Sequence, residues 1–113
     1  MDAATYYGEA EHVTLSGTPT KVHPARARIV AADPSSSGFA FRLPNAETDP
    51  WRFVPGENYF LLVNLSSSNT ADVEDASGST LATIATESAV EVHLLGTGGG
   101  GRWLLKSRAV LAS

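Results

Sequence analysis

The chain contains no cysteine. Neither disulfide bridges nor thiolate metal sites nor a cysteine nucleophile can therefore contribute to its fold or its chemistry. It also lacks any apolar run near the ~20 residues that a membrane helix needs. Residues 1–12, MDAATYYGEAEH, show neither the basic start nor the apolar core of a signal peptide. These absences predict a soluble protein that is not exported by that route and has no membrane partner.

Basic side chains are absent from a long central stretch. Residues 57–101 contain no Lys or Arg but six acidic residues, and Arg102, Lys106 and Arg108 follow directly after them. The net charge of -4 argues against a nucleic-acid partner, because phosphate binding needs a basic stripe. The segregation of charge leaves two interpretations open, complementary strand faces within one subunit or complementary faces between subunits.

Helical periodicity is missing as well, since no segment carries it over the ten or more residues that a helix would need. Short apolar or alternating runs are instead separated by turn residues at a spacing of roughly 8 to 12 residues. The predicted strands are residues 12–15, 21–32, 39–43, 58–65, 70–75, 80–85, 89–95 and 103–111. We expect an all-β fold, a compact antiparallel β-sandwich or jelly-roll-like barrel of about seven or eight short strands. An N-terminal arm at residues 1–11 would precede a single domain at residues 12–113.

A hairpin turn is predicted at residues 75–78. Asp75 at the first position of a type I turn accepts backbone N–H bonds, and Gly78 at the fourth position tolerates the left-handed conformation needed there. The strands on either side of it, residues 70–75 and 80–85, are therefore expected to pair with each other. The order of the remaining strands stays open, because alternation decides which face a side chain is on and leaves the neighbours undetermined.

No motif in the chain points to catalysis or to a metal. The four glycines at residues 98–101 are followed by Arg102 and Trp103 at the start of a strand, whereas a phosphate loop needs Lys-Ser/Thr and a helix. The three histidines have no ligand spacing, and the carboxylates at residues 72–75 lack the glycine-spaced loop of a calcium site. No Gly-x-Ser-x-Gly pattern frames a serine. We therefore predict a protein that is not an enzyme and has no cofactor or metal.

The connection at residues 44–56 is the best candidate for a contact surface. Loops of about a dozen residues are uncommon and often functional. Its aromatic residues, Trp51 and Phe53, either form such a surface or fold back as a lid on the core. The arm and the closing strand carry the other candidates. The predicted partner contacts are Tyr6, Tyr7, Trp51, Phe53, Arg102, Lys106 and Arg108.

The central part of the chain carries a run of linked motifs. An apolar strand ending in Val-Asn (residues 60–64) is followed by an alternating strand with an Asp-x-x-Gly turn (73–78), then by Leu-x-x-Ile (81–84), Val-x-Val-x-Leu (90–94), a glycine-rich loop and Trp103. The strand FRLP at residues 41–44 precedes them. This pattern resembles a recurring β-module of tailed-bacteriophage virion proteins, found in head decoration proteins, head fibres and tail-fibre segments. The resemblance covers roughly residues 39–105.

The resemblance implies a non-enzymatic particle protein that often acts as a trimer. We expect a capsid decoration or head-attached protein that stabilises subunit junctions, is made in the host cytoplasm and is located in the virion. Its partners would be the major capsid protein or other virion subunits, and its own assembly a homotrimer. Two loops depart from the pattern: Thr97 and four glycines replace a polar loop, and the turn at residues 86–88 lacks the customary glycine.

Two other functions compete with this one. A receptor- or carbohydrate-binding module of the tail-fibre type would need exposed aromatic side chains, for which Tyr6, Tyr7, Trp51 and Tyr59 are the candidates, although Tyr59 lies in a predicted core strand. A small enzyme is the third alternative, and no motif favours it. If the chain is a capsid decoration or head-attached protein, removal of residues 1–11 should leave the fold intact while weakening assembly or attachment.

Overall fold

The structure is a computed structural model, and it describes residues 11–23 and 29–107 of the chain. Within these residues the chain forms nine strands and one 3-10 turn at Gly98–Gly100. The strands are β1 (Glu11–Val13), β2 (Thr20–Lys21), β3 (Ile29–Ala32), β4 (Ala40–Arg42), β5 (Tyr59–Asn64), β6 (Ala71–Glu74), β7 (Thr80–Ile84), β8 (Ser88–Gly96) and β9 (Arg102–Ser107). Every predicted strand has a counterpart among them, so the all-β character is confirmed.

The strands form two sheets. The five-stranded sheet has the order β1-β3-β5-β8-β9, and the four-stranded sheet has the order β2-β4-β6-β7. From β1 to β6 the chain alternates between the two sheets, so that each sheet receives every second strand. Strands β1, β3 and β5 are therefore parallel to one another, as are β2, β4 and β6.

The expectation of an antiparallel fold is wrong for the pairs formed among strands β1 to β6, all of which are parallel. Among the described strands, only β5 with β8, β6 with β7 and β8 with β9 pair antiparallel. Both sheets are consequently mixed. The physical reason is that each connection before β6 crosses to the opposite sheet, so that successive strands within one sheet run in the same direction. Hydrophobic alternation is the same in both kinds of pairing and could not distinguish them.

The predicted strand at residues 21–32 is two strands in different sheets. Its start, β2, pairs with β4, whereas its end, β3, lies between β1 and β5. Glu11 was expected at the end of the arm. It lies in β1 and pairs there with Val30 of β3. The remaining arm residues lie outside the described residues, and the boundary between arm and domain remains a prediction.

One hydrophobic core takes side chains from both sheets. Phe41 and Leu43, around β4, and Phe60 and Leu62, on β5, are almost completely buried in it. On β8 the alternating pattern directs Val92 to the same core, since successive side chains of a strand point to opposite faces. The inner faces of the two sheets are thus buried against shared apolar side chains.

The hairpin between β6 and β7 is confirmed. The backbone N–H of Gly78 donates to the carbonyl of Asp75 over 3.1 Å, and Gly78 has the left-handed φ of 96° that its position requires. The Asp75 carboxylate accepts the Ser77 hydroxyl over 2.7 Å and the backbone N–H groups of Ser77 and Ser79. The Ser77 hydroxyl, helped by these backbone donors, holds the pKa of Asp75 below its usual value.

The β5 end of the core is closed by Asn64, which is completely buried. Its amide group donates to the carbonyl oxygens of Asn69 over 2.8 Å, Ala85 over 3.1 Å and Ile84 over 3.3 Å. Its side-chain oxygen accepts the backbone N–H of Ser66 over 3.0 Å. Asn64 therefore ties the loop after β5 to the end of β7, which joins the two sheets.

Candidate contact surfaces

The outer face of the four-stranded sheet is charged. Arg42 on β4 lies beside Glu74 on β6, and the Arg42 Nη2 and Glu74 Oε1 atoms are 2.6 Å apart. On the same face the Thr83 hydroxyl donates to the Asp72 carboxylate over 2.9 Å. Both acids belong to the acidic central stretch, so at least part of the charge segregation is matched within one chain. A face of this kind is suited to contact with water.

The outer face of the five-stranded sheet is mainly apolar. We define the apolar face by its non-polar members, which share the outward parity of their strands. They are Ile29, Ala31, Tyr59, Leu61, Val63, Ala89 and Leu104. These residues lie on adjacent strands. Ile29 is opposite Leu61, and Val63 lies between Ala31 and Ala89. On β8, His93 lies between Tyr59 of β5 and Leu104 of β9. The outer surface of the five-stranded sheet is therefore the more apolar of the two, although it also carries charged side chains of β8 and β9.

Part of the apolar face is packed as a second hydrophobic cluster. Ala31, Val63 and Ala89 are buried, and Leu61 packs against them. Towards β9 the face opens to solvent, and Leu104 is 51% exposed. The exposed apolar surface of this face is therefore concentrated at Leu104 on β9 and at Ile29 on β3, which is 37% exposed.

Polar groups of both signs lie within the outer face of the five-stranded sheet, because Glu91 and His93 on β8 separate Leu61 and Tyr59 from strand β9. His93 Nε2 lies 3.1 Å from Glu91 Oε1, and the His93 ring contacts the Tyr59 ring at a tilt of 51°, with 4.7 Å between centroids. Lys106 is the register partner of Glu91 on the neighbouring strand. Arg102 and Lys106 are exposed along the edge strand β9. The exposed charged groups on this part of the sheet are thus the cations Arg102 and Lys106, whereas Glu91 is largely buried against His93.

A cleft of about 220 Å³ lies between the first edge strands of the two sheets, β1 and β2. Its floor is apolar and consists of Val13, Val22, Val30 and Phe41. The last three of these are core residues that are at most 3% exposed. The cleft therefore opens directly onto the hydrophobic core.

The rim of the cleft is polar and aromatic. Trp51 forms one side, and its ring lies 4.0 Å from the His23 ring at an angle of 53°. Lys21 Nζ is 5.8 Å from the Trp51 ring centroid, within the distance of a cation–π contact. Glu11 and Thr20 complete the rim. Aromatic and polar groups thus surround an apolar floor, which is the usual composition of a small-molecule site.

The loop that carries Trp51 is fixed to strand β2. Lys21 Nζ lies 3.0 Å and 3.1 Å from the two carboxylate oxygens of Asp49. The same carboxylate accepts the backbone N–H of Asn45 over 2.8 Å. Asn45 in turn accepts the backbone N–H groups of Glu47 and Thr48. These bonds hold the turn before Trp51 in one conformation.

The predicted contact residues fall into separate places. Trp51 lines the cleft, whereas Phe53 is half-buried and is not among the described residues that line it. The choice between a contact surface and a lid on the core stays a prediction. Arg102 and Lys106 lie at the edge of the five-stranded sheet. The other predicted contacts, Tyr6, Tyr7 and Arg108, lie outside the described residues.

Neither the apolar face nor the rim residues Lys21 and His23 were predicted from the sequence. A signal for the apolar face was present in β5, because residues 59–63 are apolar or aromatic at both parities. A strand that packs on one side only would alternate, whereas a continuous apolar run is typical of a strand covered on both faces. No comparable signal marks the cleft, since the contact of residues 11–23 with Val30, Phe41 and Trp51 depends on how the strands pack.

Across residues 11–23 and 29–107, no group of three or more His, Cys, Asp or Glu side chains is placed to hold a metal ion. No helix in this part of the chain has the length and apolarity that a membrane crossing requires. Comparison of the chain with protein-family models, with curated proteins and with solved structures finds no match.

Proposed function

We propose that this chain is a non-enzymatic structural subunit of a tailed-bacteriophage particle. In this proposal it is a capsid decoration or head-attached protein that binds the major capsid protein and stabilises the junctions between its subunits. It is made in the host cytoplasm and becomes part of the virion. The motif run at residues 60–103, which resembles the virion β-module, is the reason for choosing a phage particle.

The observation that carries an assembly role is the contrast between the two outer faces. The four-stranded sheet covers its outer surface with ion pairs and hydrogen bonds such as Arg42 with Glu74. The five-stranded sheet instead presents the apolar face, where Leu104 remains half exposed. Burial of apolar surface stabilises association by roughly 25 cal/mol per Å², so this face supports contact with another protein surface.

The fold suits that role if the two sheets form a β-sandwich. Each sheet has a short edge strand from the start of the chain. These strands are β1 in the five-stranded sheet and β2 in the four-stranded sheet. At the other side, β9 carries the exposed cations Arg102 and Lys106, and charged side chains on an edge strand oppose indiscriminate strand pairing. Association would then use the apolar face rather than the sheet edges.

We further propose that three copies associate through the apolar face and that the homotrimer attaches to the capsid. The exposure of Leu104 on the edge strand β9 supports this arrangement, because contact with another copy would bury this side chain. The N-terminal arm at residues 1–11 is the segment we propose for attachment to neighbouring virion subunits.

Antibody labelling of intact particles tests the location. Phage particles from a host that carries the gene would be treated with a gold-labelled antibody against the purified chain and imaged by electron microscopy. Gold on the heads is the expected result. Particles without gold, while the antibody still recognises the chain in lysates of the same culture, would contradict the proposal.

A receptor- or carbohydrate-binding module of a tail fibre is the second candidate. It is favoured by one observation, the position of Trp51 at the rim of a cleft with polar groups around it. In the same labelling experiment, gold at the tips of the fibres would support this candidate against the first.

A further inference from the structure

Strand β9 has one open side. It lies at the end of the five-stranded sheet, and among the described strands only β8 pairs with it. In an antiparallel pair, alternate residues of a strand direct their N–H and C=O groups to the same side. The side of β9 that faces away from β8 therefore presents a row of backbone donors and acceptors. An extended peptide can pair with such a row as an added strand.

Two cations on this edge have no partner in the described part of the chain. Arg102, Leu104 and Lys106 share the outer face of β9, and all three are exposed. Within residues 11–23 and 29–107, neither Arg102 nor Lys106 makes an ion pair or a side-chain hydrogen bond. The nearest carboxylate on β8, that of Glu91, lies against His93 instead. The open edge is therefore positively charged.

This charge disfavours a second β9 as the added strand. In a two-fold antiparallel pair of β9 strands centred on Leu104, each Arg102 would lie opposite Lys106 of the other copy. A shift of two residues in either direction would place two Arg102 or two Lys106 side chains diagonally across from each other. Like charges opposite each other destabilise a sheet. The edge therefore selects against a copy of itself.

An acidic segment is the complementary strand. Acidic residues opposite Arg102 and Lys106 would form cross-strand pairs of opposite charge, which stabilise a sheet. These two cations are four positions apart, so the two acids must be four positions apart as well. Between them, apolar residues would cover Trp103 and Leu105, which are half-buried and pack against the core from the inner face of β9. The matching pattern is acidic, apolar, any residue, apolar, acidic.

The sequence supplies no available strand with this spacing of acids. Of its acidic residues, only Glu87 and Glu91 are four positions apart. Glu91 and the residues between the two belong to β8, which is already paired with β5 on one side and with β9 on the other. The complementary strand therefore comes from a different protein.

From these features we propose that the open edge of β9 binds an extended acidic segment of a partner protein by strand addition. The backbone of the segment pairs with that of β9, and its two carboxylates pair with Arg102 and Lys106. The inference goes beyond the capsid proposal, in which copies of the chain meet through the apolar face. It holds whether or not the protein is a virion subunit, because the edge selects a chemical pattern.

Nuclear magnetic resonance of the isotope-labelled full chain tests the inference with peptides at concentrations up to a few millimolar. The probe is the peptide Gly-Ser-Glu-Val-Thr-Val-Glu-Ser-Gly with blocked termini. In one control peptide lysines replace the glutamates. In the other, prolines replace the valines, which keeps the charge and prevents ladder pairing. We expect only the probe to shift the amide signals of residues 102–107 saturably and to slow hydrogen exchange at alternate amides among them.

Two variants test the charge contact. Arg102→Glu reverses a charge on the edge, and its register partner on β8 is Gly96, so no side-chain pair within the sheet is lost. It should weaken binding of the probe about tenfold, because an attractive cross-strand pair becomes a repulsive one. Arg52→Glu makes the same change of charge at an exposed position outside the strands, and it should bind like the unchanged chain.

Several results would overturn the inference. These are the absence of any response of residues 102–107 to the probe, an equal response to either control peptide, an Arg102→Glu variant that binds as tightly as the unchanged chain, and equal weakening by the two variants. None of them bears on where the protein lies in the particle, which the gold labelling decides separately.

Discussion

At the scale of single residues, the turn between β6 and β7 shows how local chemistry decides local structure. Asp75 and Gly78 stand at the two positions of the turn where a carboxylate acceptor and a left-handed glycine are most useful. Both roles were predictable from the sequence, because they depend only on neighbouring residues. The position of Trp51 beside His23 and Lys21 was not, because it depends on how distant strands pack.

Replacement of Gly78 tests its role in the turn. Gly78→Ala should lower the free energy of unfolding by about 1–2 kcal/mol, the cost of a left-handed conformation for a residue with a Cβ. A Cβ atom there would also lie 3.2 Å from Arg42 Nη2 and would disturb the pair of Arg42 with Glu74. Urea unfolding provides the measurement.

Gly17→Ala is the matched control for this variant, because Gly17 has an ordinary φ and no neighbouring atom within 4 Å of the added Cβ. It should be neutral or stabilising by about 0.4–1 kcal/mol. Equal destabilisation by the two variants would show that the turn geometry is not the cause.

Acidification tests the Asp75 carboxylate. Its folded pKa lies below the unfolded one, so its contribution to stability is complete above the unfolded value of about 3.9 and is lost as the pH falls through the folded value. Asp75→Asn should therefore be less stable than the unchanged chain at pH 7, and the difference should shrink below about pH 4. Denaturant unfolding of both proteins from pH 7 to pH 2.5 measures this, and a difference that stays constant would contradict the assignment.

At the scale of elements, the strands were largely predictable and their pairing was not. Turn residues and apolar periodicity located β4 to β8 closely, because both are properties of short segments. The parallel pairing of β1 with β3 and of β2 with β4 depends on the connections between sheets, and no residue type in those strands encodes it. The exception is the hairpin of β6 and β7, whose pairing follows from its own turn.

Asn64 is the element-scale contact that can be tested most directly. It bonds the backbone after β5 to the end of β7 within the core. Asn64→Ala would leave buried carbonyl groups without a donor and should lower the free energy of unfolding by about 2–3 kcal/mol. Ser67→Ala, at an exposed position of the same loop, should change it little. Thermal and urea unfolding compare them, and an unaffected Asn64→Ala variant would contradict the assignment.

At the scale of the whole molecule, the two outer faces differ in the contacts that they can make with solvent and with other proteins. A charged face and an apolar face on opposite sheets fit a subunit that is covered on one side and solvated on the other. The continuous apolar run of β5 was the sequence signal for the covered side. The motif run from which we propose a phage virion protein concerns the same strands, but it could not show which face would be covered.

The solution mass of the protein, measured by light scattering after size exclusion, tests the proposed assembly most directly. Leu104 on the apolar face and Leu81 on β7 are both exposed leucines on edge strands, at 51% and 43%, so Leu104→Lys and Leu81→Lys form a matched pair. We expect the unchanged chain and Leu81→Lys to have three times the subunit mass of 11.9 kDa, and Leu104→Lys to be a monomer. An unchanged chain that is monomeric at every concentration, or a Leu104→Lys variant that still forms trimers, would contradict assembly through the apolar face.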